Sequence, residues 1–183
     1  MSAKVNSSII LHQGRVFKLL RENVTLGNGV TADLDVVRHP GASAIVPLSD
    51  EGTVIMITQY RHAIGDFIWE IPAGTFDPQE TPLECARREL SEETGFSADV
   101  WHKLGEITPV PGYSDERIHI FLATELLPTS QELDRDEMIH VHEIKLDKAM
   151  EMVYGGLIQD SKTISGLILA THWLDNKRGV AAQ

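Results

Sequence analysis

The chain has 183 residues, of which 42% are hydrophobic, and it carries a formal net charge of −11 at pH 7. This length suits one domain with at most a small appended subdomain, and the hydrophobic content is sufficient for a packed core. The acidic charge and the lack of any basic run argue against nucleic acid and anionic membranes as partners.

Cysteine content and hydropathy indicate the cellular compartment in which the protein is expected. Cys85 is the only cysteine, so the chain offers no intramolecular disulfide and no thiolate metal site, and we interpret Cys85 as a packing residue. Residues 1–17 lack the long apolar core of a signal peptide, and no stretch is apolar enough to cross a membrane. We therefore expect a protein of the reducing cytoplasm.

The N-terminal part of the chain predicts a small β-sheet. Residues 9–11 can begin an edge strand, and two β-rich runs, residues 16–25 and 30–38, flank the sequence Leu-Gly-Asn-Gly. Glycines around an asparagine are typical of a tight hairpin turn. Because so small a pairing buries few residues, it must pack on the main body or on a second copy of the chain.

A second group of strands follows the N-terminal sheet. Residues 42–47 and 53–60 predict two strands joined by the turn sequence Ser-Asp-Glu-Gly. Within the second, residues 54–57 form an unbroken apolar run, which indicates burial on both faces. Another short strand is expected at residues 67–72.

The clearest helix signal lies between residues 82 and 94. Thr81 and Glu84 form a capping box, Pro82 suits the first helical position, and Gly95 is a stop signal. The apolar residues of this helix recur on one stripe that must face a core. They are Leu83, Ala86 and Leu90.

Three glutamates, Glu89, Glu92 and Glu93, fall on one side of this helix because they are spaced three and four residues apart. Their charges repel one another and also oppose the helix dipole near its C-terminal end. A solvated acidic face is the simplest interpretation of such a run. A cluster of hard oxygen ligands also suits Mg²⁺ or Mn²⁺, which are normally shared with substrate phosphates.

The second half of the chain predicts further strands and two helices. A stiff loop with two prolines, residues 108–116, separates the first two strands. Strands that alternate with helices predict an α/β fold, with a mixed sheet covered by helices. The expected strands are residues 98–104, 117–126 and 138–146, and the expected helices run from Asp147 to Tyr154 and from residue 160 or 161 to about residue 176.

Residues 74–96 read GTFDPQETPLECARRELSEETGF. This pattern resembles the Nudix box at every fixed position: a glycine, five residues, a glutamate, seven residues, Arg-Glu-Leu, one residue, Glu-Glu, one residue and Gly-Phe. The one departure is Phe96, where the family usually has an aliphatic residue. The resemblance implies the Nudix fold, an α/β/α sandwich around a mixed sheet, and hydrolysis of a diphosphate that joins a nucleoside to another group.

Three features outside the box resemble one branch of this family. The lead-in sequence WEIPAG resembles the family's E-x-P-A-G, and Pro111 stands fifteen residues beyond Phe96, as in ADP-ribose pyrophosphatases. The N-terminal hairpin resembles the small sheet with which nucleotide-sugar hydrolases dimerise. These likenesses imply a homodimer that cleaves ADP-ribose to AMP and ribose 5-phosphate. Residues 1–40 would be a small N-terminal β-sheet subdomain for dimerisation and base contact, and residues 41–183 the catalytic domain.

The resemblance also implies a divalent cation, Mg²⁺ or alternatively Mn²⁺, and a set of ligands for it. Glu89 and Glu93 are the first expected ligands, and Glu92 is the third. The family also uses the backbone carbonyl of the residue before the box glycine, which is Ala73 in this sequence.

Arg88 is expected to orient these carboxylates. It can pair with Glu84 or Glu92, each four residues away, and with Glu80 across the loop. We interpret it as a clamp on the catalytic carboxylates and not as a substrate contact. Loop and capping roles are expected for Glu80 and Glu84 themselves.

The general base is expected in an acidic segment, residues 132–137, because this branch of the family often places it in a loop far downstream of the box. The segment offers Asp134, Asp136 and Glu137, of which Glu137 is our choice. A solvated linker is one alternative. A base drawn from the box itself, such as Glu92, is another.

Arginines and the proline loop supply the expected substrate contacts. Arg61, at the end of a strand, and Arg38 are candidates for binding the diphosphate, although either could be an ordinary surface arginine. Phe17 could stack on the base or simply pack within the hairpin. The proline loop offers further contacts, some of which could cross a dimer interface: Pro111, Tyr113 and Glu116.

Other functions share part of this pattern. The nucleotide sugar could be GDP-mannose, and the sequence leaves open the preferred base and sugar, the number of metal ions and the phosphorus attacked. A hydrolase of nucleoside triphosphates or capped RNA would carry the same box, but Pro111 and the N-terminal hairpin argue against it. A sensor that binds nucleotide sugars without cleaving them should have a broken box or a DNA-binding segment, and neither is present.

Overall fold

The computed structural model describes residues 2–181, with side chains as far as Lys177, and the chain divides into two compact units. One unit comprises Met1–Gly41 and Thr108–Arg117, and the other comprises Ala42–Ile107 and Ile118–Gln183. The sequence predicts that the proline loop belongs to the catalytic domain, whereas the structure groups it with the N-terminal sheet. The reason is a backbone pairing, since the Val37 N–H donates to the Tyr113 carbonyl at 2.7 Å.

The first unit is a three-stranded antiparallel sheet with the strand order β1-β2-β3. The predicted hairpin is confirmed, because the Leu26 N–H donates to the Val30 carbonyl at 2.8 Å. Gly29 closes this turn with a φ of 85°, which favours glycine. All ten residues of β1 are exposed. The strands are β1 (Lys4–Gln13), β2 (Lys18–Thr25) and β3 (Thr31–Arg38).

The second unit is built on two sheets. A four-stranded sheet has the order β7-β4-β9-β8, in which β4 is parallel to β9 and the other pairings are antiparallel, so the expected mixed sheet is present. A three-stranded antiparallel sheet has the order β10-β5-β6. The strands are β4 (Ala42–Pro47), β5 (Thr53–Arg61), β6 (Asp66–Glu70), β7 (Ala73–Thr75), β8 (Phe96–Ile107), β9 (Ile118–Pro128) and β10 (Ile139–Lys145).

The three helices are α1 (Pro82–Thr94), α2 (Leu146–Tyr154) and α3 (Ser161–Ala181). Of these, α1 and α3 cover the mixed sheet, and α2 packs against α3, β5 and β10. Successive residues of β4 point to opposite faces of the sheet. Accordingly, Ile45 packs in the cluster that contains Leu90 of α1, and Val46 packs in the cluster that contains Leu167 of α3. The α/β/α sandwich is therefore confirmed, with a core on each side of β4.

Several local predictions can be compared with the structure. The run Val54–Ile57 is fully buried, as expected. Cys85 is also buried, and burial raises the pKa of its thiol to about 12, which suits a packing residue. The prediction that Asp147 caps α2 is wrong, because the cap position is Lys145 and Asp147 lies in the first turn. No helix in the part of the chain that the structure describes is long and apolar enough to cross a membrane.

Candidate active site

Local sequence fixes both ends of α1, and so decides which of its side chains face inward. The Thr81 hydroxyl accepts the Glu84 N–H at 3.3 Å, and a Glu84 oxygen accepts the Thr81 N–H at 2.8 Å. At the other end Gly95 adopts the left-handed conformation and donates its N–H to the Ser91 carbonyl at 2.9 Å. Glu84 is exposed and engaged in this cap, as the sequence predicted.

The inward side of α1 carries Glu89 and Glu93, which are only 8% and 1% exposed. One oxygen of Glu93 accepts the backbone N–H of Ala73 at 2.8 Å. A Cβ added to Gly74 would lie 1.7 Å from Oε1 of Glu89. The backbone of β7 therefore lies directly against both carboxylates.

Glu89 and Glu93 are buried, and burial makes the ionised form of each carboxylate unfavourable. Burial raises the pKa of Glu89 to about 7, and the charges of Glu92 and Glu137 add to this effect while Arg88 opposes it. The pKa of Glu93 is raised well above its usual range, first by burial and then by the charge of Glu89. Such a pair of anions is stabilised by a cation.

Arg88 is the cation that the protein itself supplies to this cluster. Its Nη1 donates to Glu89 at 2.6 Å and to Glu92 at 3.0 Å, and its Nε and Nη2 each donate to Glu80 at 2.9 Å. A further bond from Nη2 reaches the Thr75 carbonyl at 3.1 Å. Of the two partners predicted at four-residue spacing, Glu92 pairs with Arg88 and Glu84 does not.

The donor set can be compared with what a divalent cation requires. Among the described residues, no group of three or more His, Cys, Asp or Glu side chains is arranged so that it could hold a metal ion by itself. Magnesium, however, is usually held by one or two carboxylates and completes its coordination with water and substrate phosphate. The buried pair Glu89 and Glu93 fits that requirement, whereas the side chain of Glu92 is 41% exposed and lies at the margin.

The acidic segment that follows β9 is attached to the C-terminal end of α1. The side chain of Gln131 donates to the Glu93 carbonyl at 2.6 Å, and the Glu132 N–H donates to the Glu92 carbonyl at 3.0 Å. These bonds satisfy carbonyls that the helix leaves unpaired at its end. The segment is therefore docked on the helix that carries the carboxylates, which the sequence analysis did not foresee.

Within this segment, Glu137 interacts electrostatically with the buried pair. Its charge contributes to the raised pKa of both Glu89 and Glu93. One oxygen of Glu137 accepts the Asp134 N–H at 3.0 Å, which limits the positions that the side chain can take. Asp134 and Asp136 are exposed, whereas Glu137 is half-buried.

Arg61 has a different environment from the one the sequence predicted. Its Nε and Nη2 donate to the two oxygens of Glu70 at 2.6 Å and 2.7 Å, so two of its three nitrogens are already engaged. Lys162 binds the same carboxylate. Glu70 and Lys162 were missed by the sequence analysis. The WEIPAG lead-in was a signal for Glu70, but nothing in the sequence pointed to Lys162.

The other expected substrate contacts lie in the first unit. Arg38 pairs with Glu22 at 2.8 Å and with Asp115 at 3.1 Å, and a Glu116 oxygen lies 3.8 Å from Nδ1 of His39. The strand β3 and the proline loop are thus linked by charge as well as by backbone hydrogen bonds. Three further candidates in this unit are exposed: Phe17, Pro111 and Tyr113.

Comparison with known proteins gives consistent matches. The profile of the NUDIX domain matches residues 37–162. An ADP-ribose pyrophosphatase of Bacillus subtilis (strain 168) is 39% identical over 175 residues, which cover 94% of this chain and 92% of that protein. A methanol dehydrogenase activator of Bacillus methanolicus is 38% identical over 156 residues, which cover 84% of each chain. A crystal structure of an ADP compounds hydrolase matches with a TM-score of 0.85 at 25% identity, covering 97% of this chain and 96% of that one.

Proposed function

The chain belongs to the Nudix family of hydrolases, and we propose that it cleaves the diphosphate of a nucleoside diphosphate sugar, with ADP-ribose converted to AMP and ribose 5-phosphate. The cleavage of nucleoside diphosphate compounds follows from the family and its similar members. The choice of ADP-ribose is supported by the name of the Bacillus subtilis relative.

The observation that carries this proposal is the buried pair Glu89 and Glu93 beneath the backbone of Gly74. Two carboxylates with raised pKa values are a poor arrangement for stability alone, because each charge is desolvated and repels the other. They make sense as ligands for a cation that is bound together with an anionic substrate.

We expect Mg²⁺, with Mn²⁺ as an alternative, to be held by Glu89, Glu93 and the carbonyl of Ala73, with Glu92 as a third carboxylate. When bound, such a cation neutralises charge on the diphosphate and lowers the pKa of a coordinated water. The protein itself positions the carboxylates and accepts the proton of the attacking water. Arg88 holds Glu89 and Glu92 at fixed positions and joins them to the loop through Glu80.

Glu137 is the proposed general base. Its half-buried carboxylate lies near the buried pair, on a segment that hydrogen bonds dock on α1. In this role it accepts a proton from the attacking water. The alternatives Asp134 and Asp136 are more exposed than Glu137.

Several residues are proposed to select the substrate. Arg61 is the proposed diphosphate contact, because its Nη1 makes none of the hydrogen bonds that hold the side chain on Glu70. Arg38 is a weaker candidate, since Glu22 and Asp115 already neutralise it. Further contacts with base and ribose are proposed for Phe17, Pro111, Tyr113 and Glu116.

Product analysis tests this proposal. The purified protein is incubated with Mg²⁺, and in parallel with a chelator, on a panel that contains ADP-ribose, GDP-mannose, dinucleotides, nucleoside triphosphates and capped RNA. Release of AMP and ribose 5-phosphate from ADP-ribose, lost with the chelator, is the expected result. If no sugar nucleotide yields a nucleoside monophosphate, the proposed function is wrong.

A further inference from the structure

Glu70 is a carboxylate with two cationic partners in the interior of the second unit. The residue is 1% exposed, and Arg61 binds both of its oxygens in a two-pronged arrangement at 2.6 Å and 2.7 Å. Lys162 donates to Oε2 of the same group. Burial alone would raise the pKa of Glu70, but the hydrogen bonds from Arg61 and the charge of Lys162 outweigh burial and lower it. The carboxylate is therefore kept ionised.

Lys162 reaches Glu70 from the first turn of α3, and that turn is fixed by its own cap. Asp160 accepts the Thr163 N–H at 2.9 Å and the Thr163 hydroxyl at 2.6 Å, and it lies 3.1 Å from Nζ of Lys162. The Thr163 hydroxyl in turn accepts the N–H of Ile71, the residue after Glu70, at 2.9 Å. The end of β6 and the start of α3 are thus joined by two bridges, one of them ionic.

Arg61 also interacts electrostatically with a buried carboxylate of α1. Burial would lower its pKa, but the hydrogen bond and charge of Glu70, together with the charges of Glu93 and Asp160, raise it. The influence is mutual, because the charge of Arg61 acts to lower the pKa of Glu93. Among the described residues, none accepts a hydrogen bond from Nη1 of Arg61. This nitrogen is available to an anion.

We propose that Lys162 is a positioning residue for substrate binding: by sharing Glu70 with Arg61, it holds the Arg61 guanidinium in place with Nη1 left for an anionic diphosphate. The inference rests on the proposed function, in which Arg61 contacts that diphosphate. The physical reason is competition for one carboxylate. An unpaired buried carboxylate is strongly unfavourable. If Arg61 were the sole partner of the buried Glu70, the Arg61 guanidinium would therefore have to neutralise Glu70 alone and would be less able to bind the diphosphate.

The alternative is that Lys162 only stabilises the fold by neutralising a buried anion. The two roles predict different results for variants. If Lys162 is only structural, its replacement lowers the free energy of unfolding, and the molecules that remain folded bind substrate with unchanged affinity. A positioning lysine affects affinity through Arg61, so its effect disappears when Arg61 is absent.

Three single variants, together with an Arg61→Met background, separate these roles. Lys162→Gln keeps a hydrogen-bond donor for Glu70 but removes the charge, and Lys162→Arg keeps the charge. Lys148→Gln is the matched control, because Lys148 is exposed and pairs with Glu151 at 2.8 Å on α2, away from Glu70. Each protein is measured for kcat and KM with ADP-ribose, for the Kd of inorganic pyrophosphate by calorimetry, and for unfolding in urea.

The account predicts that Lys162→Gln raises both KM and the pyrophosphate Kd about tenfold, the scale of a charge-assisted hydrogen bond, and changes kcat less than about twofold. Lys162→Arg restores most of the affinity, and Lys148→Gln behaves as the wild type. In an Arg61→Met background, Lys162→Gln adds less than about twofold. A lowered urea midpoint with wild-type KM and Kd, or an undiminished effect without Arg61, would overturn the proposal.

The experiment also separates this inference from the proposed function. If the wild type cleaves ADP-ribose and Lys162→Gln leaves KM unchanged, the function stands and the positioning role fails. If the wild type cleaves no sugar nucleotide, the pyrophosphate Kd still reports on Arg61, because that probe requires only an anion binding site. A pyrophosphate Kd that does not respond to Lys162→Gln then refutes the inference by itself.

Discussion

Gly74 and Glu89 are in such close contact that no side chain fits between them: a Cβ on Gly74 would lie 1.7 Å from Oε1 and 2.0 Å from the carboxyl carbon of Glu89. The contact explains why a glycine stands at this position. The φ of Gly74 is not positive, so the constraint is the space taken by a carboxylate and not backbone strain. The same contact fixes Glu89 under the strand that supplies Ala73.

Gly74→Ala should therefore abolish activity while the protein stays folded. The added methyl group meets the end of a flexible side chain, so Glu89 can move away at small energetic cost, but its carboxylate then leaves the proposed metal position. We expect kcat/KM to fall by about 10²-fold or more with little change in the urea midpoint. Gly105→Ala is the control, because its Cβ would meet only Leu169 at an ordinary 3.4 Å. Equal activity in the two variants would contradict this reasoning.

The raised pKa values predict how the metal-free protein responds to pH. A carboxyl group whose pKa is higher in the folded state than the ordinary 4.5 binds more protons when folded, so it costs stability as pH rises through that window. For Glu89 the window runs from about 4.5 to about 7, and the loss is complete above it. The unfolding free energy in chelator should fall across this range, and added Mg²⁺ should restore it most at the upper end.

Replacement of the buried pair provides the corresponding test. Glu93→Gln should raise the stability of the metal-free protein at pH 8, because a desolvated charge is removed, and should also abolish hydrolysis and the stabilisation by Mg²⁺. Glu143→Gln, at an exposed position of β10, is the matched control and should change neither. If the Glu93→Gln protein is less stable than the wild type in chelator at pH 8, groups of the protein already stabilise the charge of Glu93, and the prediction is wrong.

Arg88→Lys keeps the charge but loses the geometry. A lysine cannot donate at once to Glu80, Glu89, Glu92 and the Thr75 carbonyl as the guanidinium does. Because residues that orient metal ligands typically contribute 10- to 100-fold, we expect activity to fall by about that factor. The same change at the exposed neighbour Arg87 should have no effect on the rate. Equal turnover in the Arg88→Lys and Arg87→Lys variants would show that Arg88 has no role in orienting the carboxylates.

Glu137→Gln should lower kcat by about 10²- to 10⁴-fold, the usual contribution of a general base, and leave the affinity for Mg²⁺ within a few fold. Asp134→Asn and Asp136→Asn serve as controls on the same segment. A loss confined to one of these aspartates would transfer the role to it. Turnover near that of the wild type in Glu137→Gln would exclude Glu137 as the base.

Homodimerisation is a prediction that β1 makes testable. Its ten residues are all exposed, and Ile9 and Ile10 are each 58% exposed at the edge of the sheet. Apolar surface on an unprotected edge strand favours association. Sedimentation should show a dimer for the wild type and a monomer for the double variant Ile9→Lys and Ile10→Lys. A monomeric wild type would contradict the expected assembly.

The sequence predicts this fold well where the signals are local. The capping box, the glycine stop and the stripe that contains Leu90 define α1, and the run Val54–Ile57 defines a buried strand. The predicted cap of α2 is wrong because Asp147 is a good capping residue by type, whereas the chain enters the helix at Lys145 directly from β10. Tertiary context decided that boundary, and no local signal could have shown it.

For the site, the sequence identifies the carboxylates but not their environment. The spacing of Glu89, Glu92 and Glu93 does not reveal that two of them are buried and one is not. That distinction depends on β7 lying against the helix. Likewise, the pairing of Glu70 with Lys162 joins residues 92 apart in the chain, and a single sequence contains no record of such a contact.

Metal binding by the Glu89 and Glu93 pair is the central claim, and titration with Mn²⁺ followed by electron paramagnetic resonance measures it most directly. The wild type at pH 8 should bind Mn²⁺, and the double variant Glu89→Gln and Glu93→Gln should bind it about 100-fold more weakly or not at all. The Glu143→Gln protein should match the wild type. Wild-type Mn²⁺ affinity in the double variant would show that the metal is held elsewhere and would contradict the account.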